Sequence, residues 1–173
     1  KDGEGVEKDM SQAVYWYRRV AEQGDENAQF NLAVCYKDGN GVEKDMSQAI
    51  YWYEQAAEQG NERAQFNLAW CYDNGEGVEK DMSQAVYWYE QAAEQGNERA
   101  QFNLAVCYKD GEGVEKDMSQ AVCWYQKAAE QGLRAAQFSL AVCYTDGLGV
   151  EKDEQKAYYW ILKAANNIDH KTD

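Results

Sequence analysis

The chain has 173 residues, of which 45% are hydrophobic and 13% aromatic, enough to build a core and too many for a disordered tail. Acidic residues outnumber basic ones 31 to 17, giving a formal net charge of -14. Such a field repels phosphate backbones and anionic lipid headgroups, and no apolar run approaches the roughly 20 residues of a bilayer span, so nucleic acid and membrane insertion are poor candidates.

The sequence repeats every 36 residues, marked by Trp16, Trp52, Trp88, Trp124 and Trp160 and by the glycine pairs Gly3/Gly5, Gly39/Gly41, Gly75/Gly77, Gly111/Gly113 and Gly147/Gly149. Residues 39–74 and 75–110 differ at only five positions, which points to recent duplication or to design toward a consensus. Lys1-Asp2-Gly3-Glu4-Gly5 enters this pattern midway, so a preceding segment, with any leader peptide, is expected to be missing.

In chain order, the first predicted element is a helix near 9–23, here called type B. Its second copy shows the logic. Asp45-Met46-Ser47-Gln48 offers an N-cap acceptor with Gln three residues on, a capping-box arrangement, and Ala49, Trp52, Tyr53, Ala56 and Ala57 recur at helical spacing. Gly60 supplies the left-handed residue that ends the helix. Asn61 then caps a type A helix whose apolar stripe is Ala64, Leu68, Ala69 and Tyr72, and Gly75 and Gly77 break it. The pattern predicts nine helices: a lone B helix, then four A/B pairs ending in a B helix near 153–167.

Tight turns between B and A, and loops of seven or so residues between A and B, require antiparallel neighbours stacked in one direction, with a concave side. The expected domain is a single solenoid over 1–173: a partial repeat at 1–24, full repeats at 25–60, 61–96, 97–132 and 133–168, and a tail at 169–173. Ala28, Ala33, Ala49, Ala56, Ala57 and their equivalents let helices approach closely, while Trp and Tyr are expected to fill the space between them.

The recurring string Ala-Gln-Phe-Asn-Leu-Ala-x-Cys-Tyr-x-x-Gly-x-Gly-Val-x-x-Asp, followed by Ala-x-x-Trp-Tyr-x-x-Ala-Ala-x-x-Gly, resembles the Sel-1-like repeat (SLR) family, relatives of tetratricopeptide repeats, over essentially the whole chain. The resemblance implies an all-α fold, a right-handed α/α superhelical solenoid of antiparallel helix pairs, acting as an adaptor for protein complexes and common in bacteria. Some cysteine-rich relatives are described as β-lactamases; they resemble one another by paired cysteines within a repeat, a pairing this chain lacks.

No catalytic constellation is legible. His170, the one histidine, stands in the polar tail and reads as solvated, and no Ser-x-x-Lys occurs. Cys35, Cys71, Cys107 and Cys143 recur once per repeat, and Cys123 replaces a tyrosine. Equivalent points on successive repeats lie about 10 Å apart, beyond the roughly 7 Å a disulfide tolerates, so small buried thiols are expected, favouring a reducing compartment such as the cytoplasm. The loop Asp38-Gly39-Asn40-Gly41-Val42-Glu43-Lys44-Asp45 lacks EF-hand spacing and fails the Gly-x-Gly-x-x-Gly pattern at Lys44; neither metal nor cofactor is expected.

A partner site is expected on the A-helix face opposite Ala28, Leu32 and Tyr36. There Asn31, Asn67 and Asn103 form an amide ladder, broken at Ser139, suited to an extended peptide backbone; the same amides can instead bond neighbouring repeats. Val34 and Val106 lie beside it, part of Phe30 is expected to be exposed there, and Trp70 takes a valine's place as a candidate hot spot, with Asp73 where neighbouring repeats carry Lys37 and Lys109. The expected partner is a protein or peptide, basic if the charge is more than solubility. Leu133, Leu148, Tyr158 and Leu162 depart from the pattern in the last repeat, covering the stack end or, for Leu148, marking a contact surface; the open face of the first B helix predicts a truncated chain or end-to-end pairing of two copies. Two other readings stand beside the scaffold: a hydrolase like some cysteine-rich relatives, and a designed or trimmed array with no partner of its own, against which the retained free thiols speak.

Overall fold

A computed structural model describes residues 10–166; the first glycine pair, His170 and the tail 169–173 lie outside the described residues. All regular structure among the described residues is helical. The chain divides into two compact units, Lys1–Lys80 and Asp81–Asp173. The first holds α1 (Met10–Ala21), α2 (Glu26–Asp38), α3 (Met46–Glu58) and α4 (Glu62–Asn74). The second holds α5 (Met82–Glu94), α6 (Glu98–Asp110), α7 (Met118–Glu130), α8 (Arg134–Asp146) and α9 (Glu154–Asn166). Odd-numbered helices are type B and even-numbered ones type A, and within each unit every helix packs on the next in chain order.

The ends of these helices follow from single residues. Asp25, Asn61 and Asn97 each accept the backbone N–H three residues on, at 2.7, 3.0 and 2.8 Å, satisfying one of the donors a helix start leaves unpaired. Leu133 stands at the same place in the last repeat and makes no such bond. On the B helices, Asp45 accepts from Gln48 N and Asp117 from Gln120 N, at 3.1 and 3.0 Å. Asp153 keeps this cap without the glutamine, through Lys156 N at 3.0 Å. The reciprocal half of a capping box is replaced by a longer-range bond: the Asp45 N–H donates to the Tyr36 carbonyl at 3.0 Å, tying the loop back to the preceding A helix.

The paired glycines do two different jobs. Gly111, at φ 77°, is the left-handed cap of α6 and donates its N–H to the Cys107 carbonyl at 2.8 Å. Gly113, at φ 72°, presses its Cα against the Met82 carbonyl at the start of α5, leaving no room for a Cβ. In the first unit Gly41 meets Met10 in the same way. The second glycine therefore sets how closely one repeat's loop rests on the start of the preceding B helix.

The core is built from small and medium side chains. Leu32, Ala49, Tyr53, Ala56 and Leu68 are sealed in the first unit, and Ala92, Leu104, Ala121, Ala128 and Leu140 in the second. The expectation that tyrosine and tryptophan alike fill the space between helices holds only in part. The second tyrosine is buried in the Tyr-Trp-Tyr strings at 51–53 and 87–89 and half-buried as Tyr17 in the first, and the tryptophans Trp52, Trp88, Trp124 and Trp160 are half-buried. The first tyrosine, at 15, 51, 87 and 159, lies exposed and edge-on to the neighbouring tryptophan ring, at centroid distances of 4.8–5.2 Å. Residues two apart on a helix point to nearly opposite sides, so only one tyrosine of each string can face inward. Trp16 also lies on the surface, on a helix with no preceding A helix among the described residues.

A buried glutamine on each A helix ties the repeats together. Gln101 donates from Nε2 to the Ala93 carbonyl at 3.0 Å and accepts on Oε1 from Gln131 Nε2 at 2.9 Å. Gln29 makes the same pair of bonds in the first unit, to the Ala21 carbonyl at 3.2 Å and from Gln59 at 2.7 Å. The glutamine thus clamps the end of the B helix before it to the end of the B helix after it.

Candidate functional site

Within the first unit, Asn31 and Val34 on α2 and Asn67, Trp70 and Asp73 on α4 lie at the A-helix positions left out of the core. The asparagines, Val34 and Asp73 are half-buried, and Trp70 is 38% exposed. In the second unit Asn103, Val106 and Lys109 are half-buried on α6. Among the described residues the side-chain amides of Asn31, Asn67 and Asn103 take part in no hydrogen bond, although Tyr53 and Tyr125 lie on the B helices that follow α2 and α6. Lys37 and Lys109 pair with the aspartates that follow them, at 3.6 and 3.4 Å, in partly exposed ion pairs that contribute little to stability.

Phe30 corrects the sequence reading. Expected to be partly exposed, it is 4% accessible, because the Arg63 guanidinium of α4 lies 4.2 Å from its ring centroid and Tyr53 packs beside it at 6.0 Å. Phe138 occupies the same repeat position and is 57% exposed; no following A helix covers it among the described residues.

Each unit buries a phenol on a B helix, Tyr53 on α3 and Tyr125 on α7. The Tyr53 hydroxyl is buried and has no hydrogen-bond partner. Burial pushes its pKa up, helped by the nearby Cys71, Asp38 and Glu76. Tyr125, its equivalent in the second unit, is also raised by burial, to about 12, with Ser139 acting in the opposite direction. Serine stands beside it in place of the asparagine found at 67. Tyr53→Phe should therefore stabilise the chain by about 1 kcal/mol, read as a higher midpoint in a urea melt, because it removes a buried hydroxyl that has no partner.

The thiols are divided. Cys35, Cys71, Cys107 and Cys143 are buried as expected, but Cys123 is exposed, since it occupies the outward tyrosine position of its helix. Burial, aided by Glu76, pushes the Cys71 thiol up to about 12, and burial raises Cys35 and Cys143 as well. A cysteine nucleophile needs the opposite shift. Among the described residues no three His, Cys, Asp or Glu side chains gather as a metal site, and no helix is long and apolar enough to cross a membrane.

One concave feature of the second unit was not assembled by the sequence reading. An open cavity of about 380 Å³ lies between α6, α7 and α8, with Tyr125, Phe138, Val142 and Leu148 as apolar wall and Lys109 and Lys116 among its lining residues. Ser139 and Leu148, both departures from the repeat, line it together. The signal was present in those departures, but only the packing of three helices brings them to one place.

A family model described as Sel1 repeat matches residues 1–25, 27–61, 62–97, 98–133 and 134–169. A Sel1 repeat protein from Oxalobacter formigenes is 41% identical, with a TM-score of 0.89 over 95% of this chain and 68% of its own. A protective antigen of uropathogenic Escherichia coli strains, displaying an SLR fold, is 42% identical, with a TM-score of 0.86 over 89% of this chain. This chain spans 33% of that antigen's length. Helicobacter pylori cysteine rich protein B, 24% identical with a TM-score of 0.59 over 78% of this chain and 97% of its own, shares the fold alone. None of the curated proteins matches. With matches in five successive segments across nearly its whole length, the chain belongs to the Sel1 repeat family.

Proposed function

We propose that the chain is a protein-binding scaffold that holds an extended peptide segment against its A-helix face, and that it is not an enzyme. The observation that carries this reading is the set of half-buried Asn31, Asn67 and Asn103 amides, which take part in no hydrogen bond among the described residues. A half-buried amide still offers donors and an acceptor, and a peptide backbone presents the complementary groups at regular spacing. Asn31, Val34, Asn67, Trp70 and Asp73 contribute the contact in the first unit, and Asn103, Val106 and Lys109 in the second. Trp70 is the anchor, because a partly exposed indole contributes large apolar area at low entropic cost. The net charge of -14 favours a partner that is basic overall. Raised thiol pKa values support the non-catalytic reading, since desolvated neutral thiols are poor nucleophiles.

The test is selection of peptides from a random displayed library against the wild-type chain, followed by titration of a labelled winner. Trp70→Ala and Asn67→Ala should each weaken binding about tenfold or more. Unchanged affinity in both variants would remove the A-helix face as the site.

A further inference from the structure

We infer that the cavity between α6, α7 and α8 is an anchor pocket for one large apolar side chain of the peptide partner, flanked in that peptide by an acidic residue. This rests on the scaffold reading above and deepens it. The cavity, about 380 Å³, is walled by Phe138, Val142 and Leu148 and is large enough for a leucine, methionine or aromatic side chain. Its openness comes from the last repeat's own departures. Ser139 is shorter than the asparagine at 31, 67 and 103, and it lines the cavity beside Tyr125. Leu148 stands where the other loops carry Asn40, Glu76 and Glu112, and it is 42% exposed although it is apolar. An exposed leucine in a glycine loop does nothing for its own fold, and here it completes a wall.

Charge selects the flanking residue. Lys109 and Lys116 line the cavity with Asp110 as the one acid, on a chain whose net charge is -14. The corresponding place in the first unit carries one more acid: Asp38 and Glu76 both act on the Tyr53 hydroxyl, with Lys37 held by Asp38 at 3.6 Å as Lys109 is by Asp110 at 3.4 Å. Replacing the loop acid by Leu148 therefore takes one carboxylate away from the second unit's cavity, so that a partner carboxylate meets Lys116 against less opposing charge.

The test uses variants that put back what the other repeats carry, so the fold is kept. Peptides are selected from a random displayed library on the wild-type chain, and labelled winners are titrated against Leu148→Glu, Ser139→Asn and Trp70→Ala, with far-UV circular dichroism as the check on folding. The expected winners carry a large apolar residue beside Asp or Glu, and both Leu148→Glu and Ser139→Asn weaken them about tenfold. Substituting the apolar residue of the winner by Ala should cost the wild-type chain as much and the Leu148→Glu chain little. Binding that is lost in Trp70→Ala but unchanged in Leu148→Glu overturns the pocket and keeps the scaffold reading. Loss in Leu148→Glu alone keeps the pocket and overturns the asparagine face. Winners without an acidic flank, or a library that yields none, count against the proposal.

Discussion

Gly113→Ala should destabilise the chain by about 3 kcal/mol, because two costs add at one atom. At φ 72° a left-handed backbone costs an alanine about 1 kcal/mol relative to glycine. The new methyl would then overlap the Met82 carbonyl, which is backbone at a helix start and cannot rotate aside. Overpacking of that kind costs about 1–3 kcal/mol, and relief requires the loop to lift off α5. Gly132→Ala is the matched control. Gly132 is also left-handed, at φ 92°, but a Cβ there meets nothing within 4 Å, so only the strain of about 1 kcal/mol remains. Urea unfolding followed by far-UV circular dichroism checks both, and equal losses would mean that the repeat spacing does not depend on this contact.

Gln101→Leu should cost about 2 kcal/mol, out of proportion to a swap of similar size on a helix. The side chain is nearly sealed and donates to the Ala93 carbonyl at 3.0 Å while accepting from Gln131 at 2.9 Å. Leucine removes both bonds. Ala93 retains the Gly96 N–H at 3.1 Å, and Gln131 falls back on the Gly96 carbonyl at 2.8 Å. Gln131→Ala, at the exposed end of the same chain of bonds, should cost about 1 kcal/mol or less. A double mutant no worse than Gln101→Leu alone would establish that the two glutamines act as one connection between the ends of α5 and α7; full additivity would refute it.

The repeat and its helices were legible because they are local. A 36-residue period, an Asp or Asn before each apolar stripe and a glycine after it specify where each helix starts and stops, and the helices appear there. Caps depend on atoms three residues apart, so Asp45, Asn61 and Asp117 could be assigned without any knowledge of neighbours. The A-helix candidate residues followed from the same periodicity; Asn31, Asn67 and Asn103 are half-buried, whereas Val106 packs against the core.

What periodicity cannot carry is the identity of the neighbour. Phe30 and Phe138 sit in the same motif, yet one is covered by Arg63 and the other is open, since burial is set by the next repeat rather than by the residue. The glutamine clamps escaped notice for the same reason: their partners lie 8 and 30 residues away, and a buried amide looks like any polar helix residue in one dimension. Cys123 reads as one more buried thiol until its helix is placed, and then it faces outward like the tyrosines it replaces. Sequence alone determined the repeat, the helix ends and the small-residue seams, all of which rest on short-range sterics and hydrogen bonding. Tertiary packing alone decided which aromatic is sealed and where Ser139 and Leu148 meet, because both depend on side chains brought together from different helices.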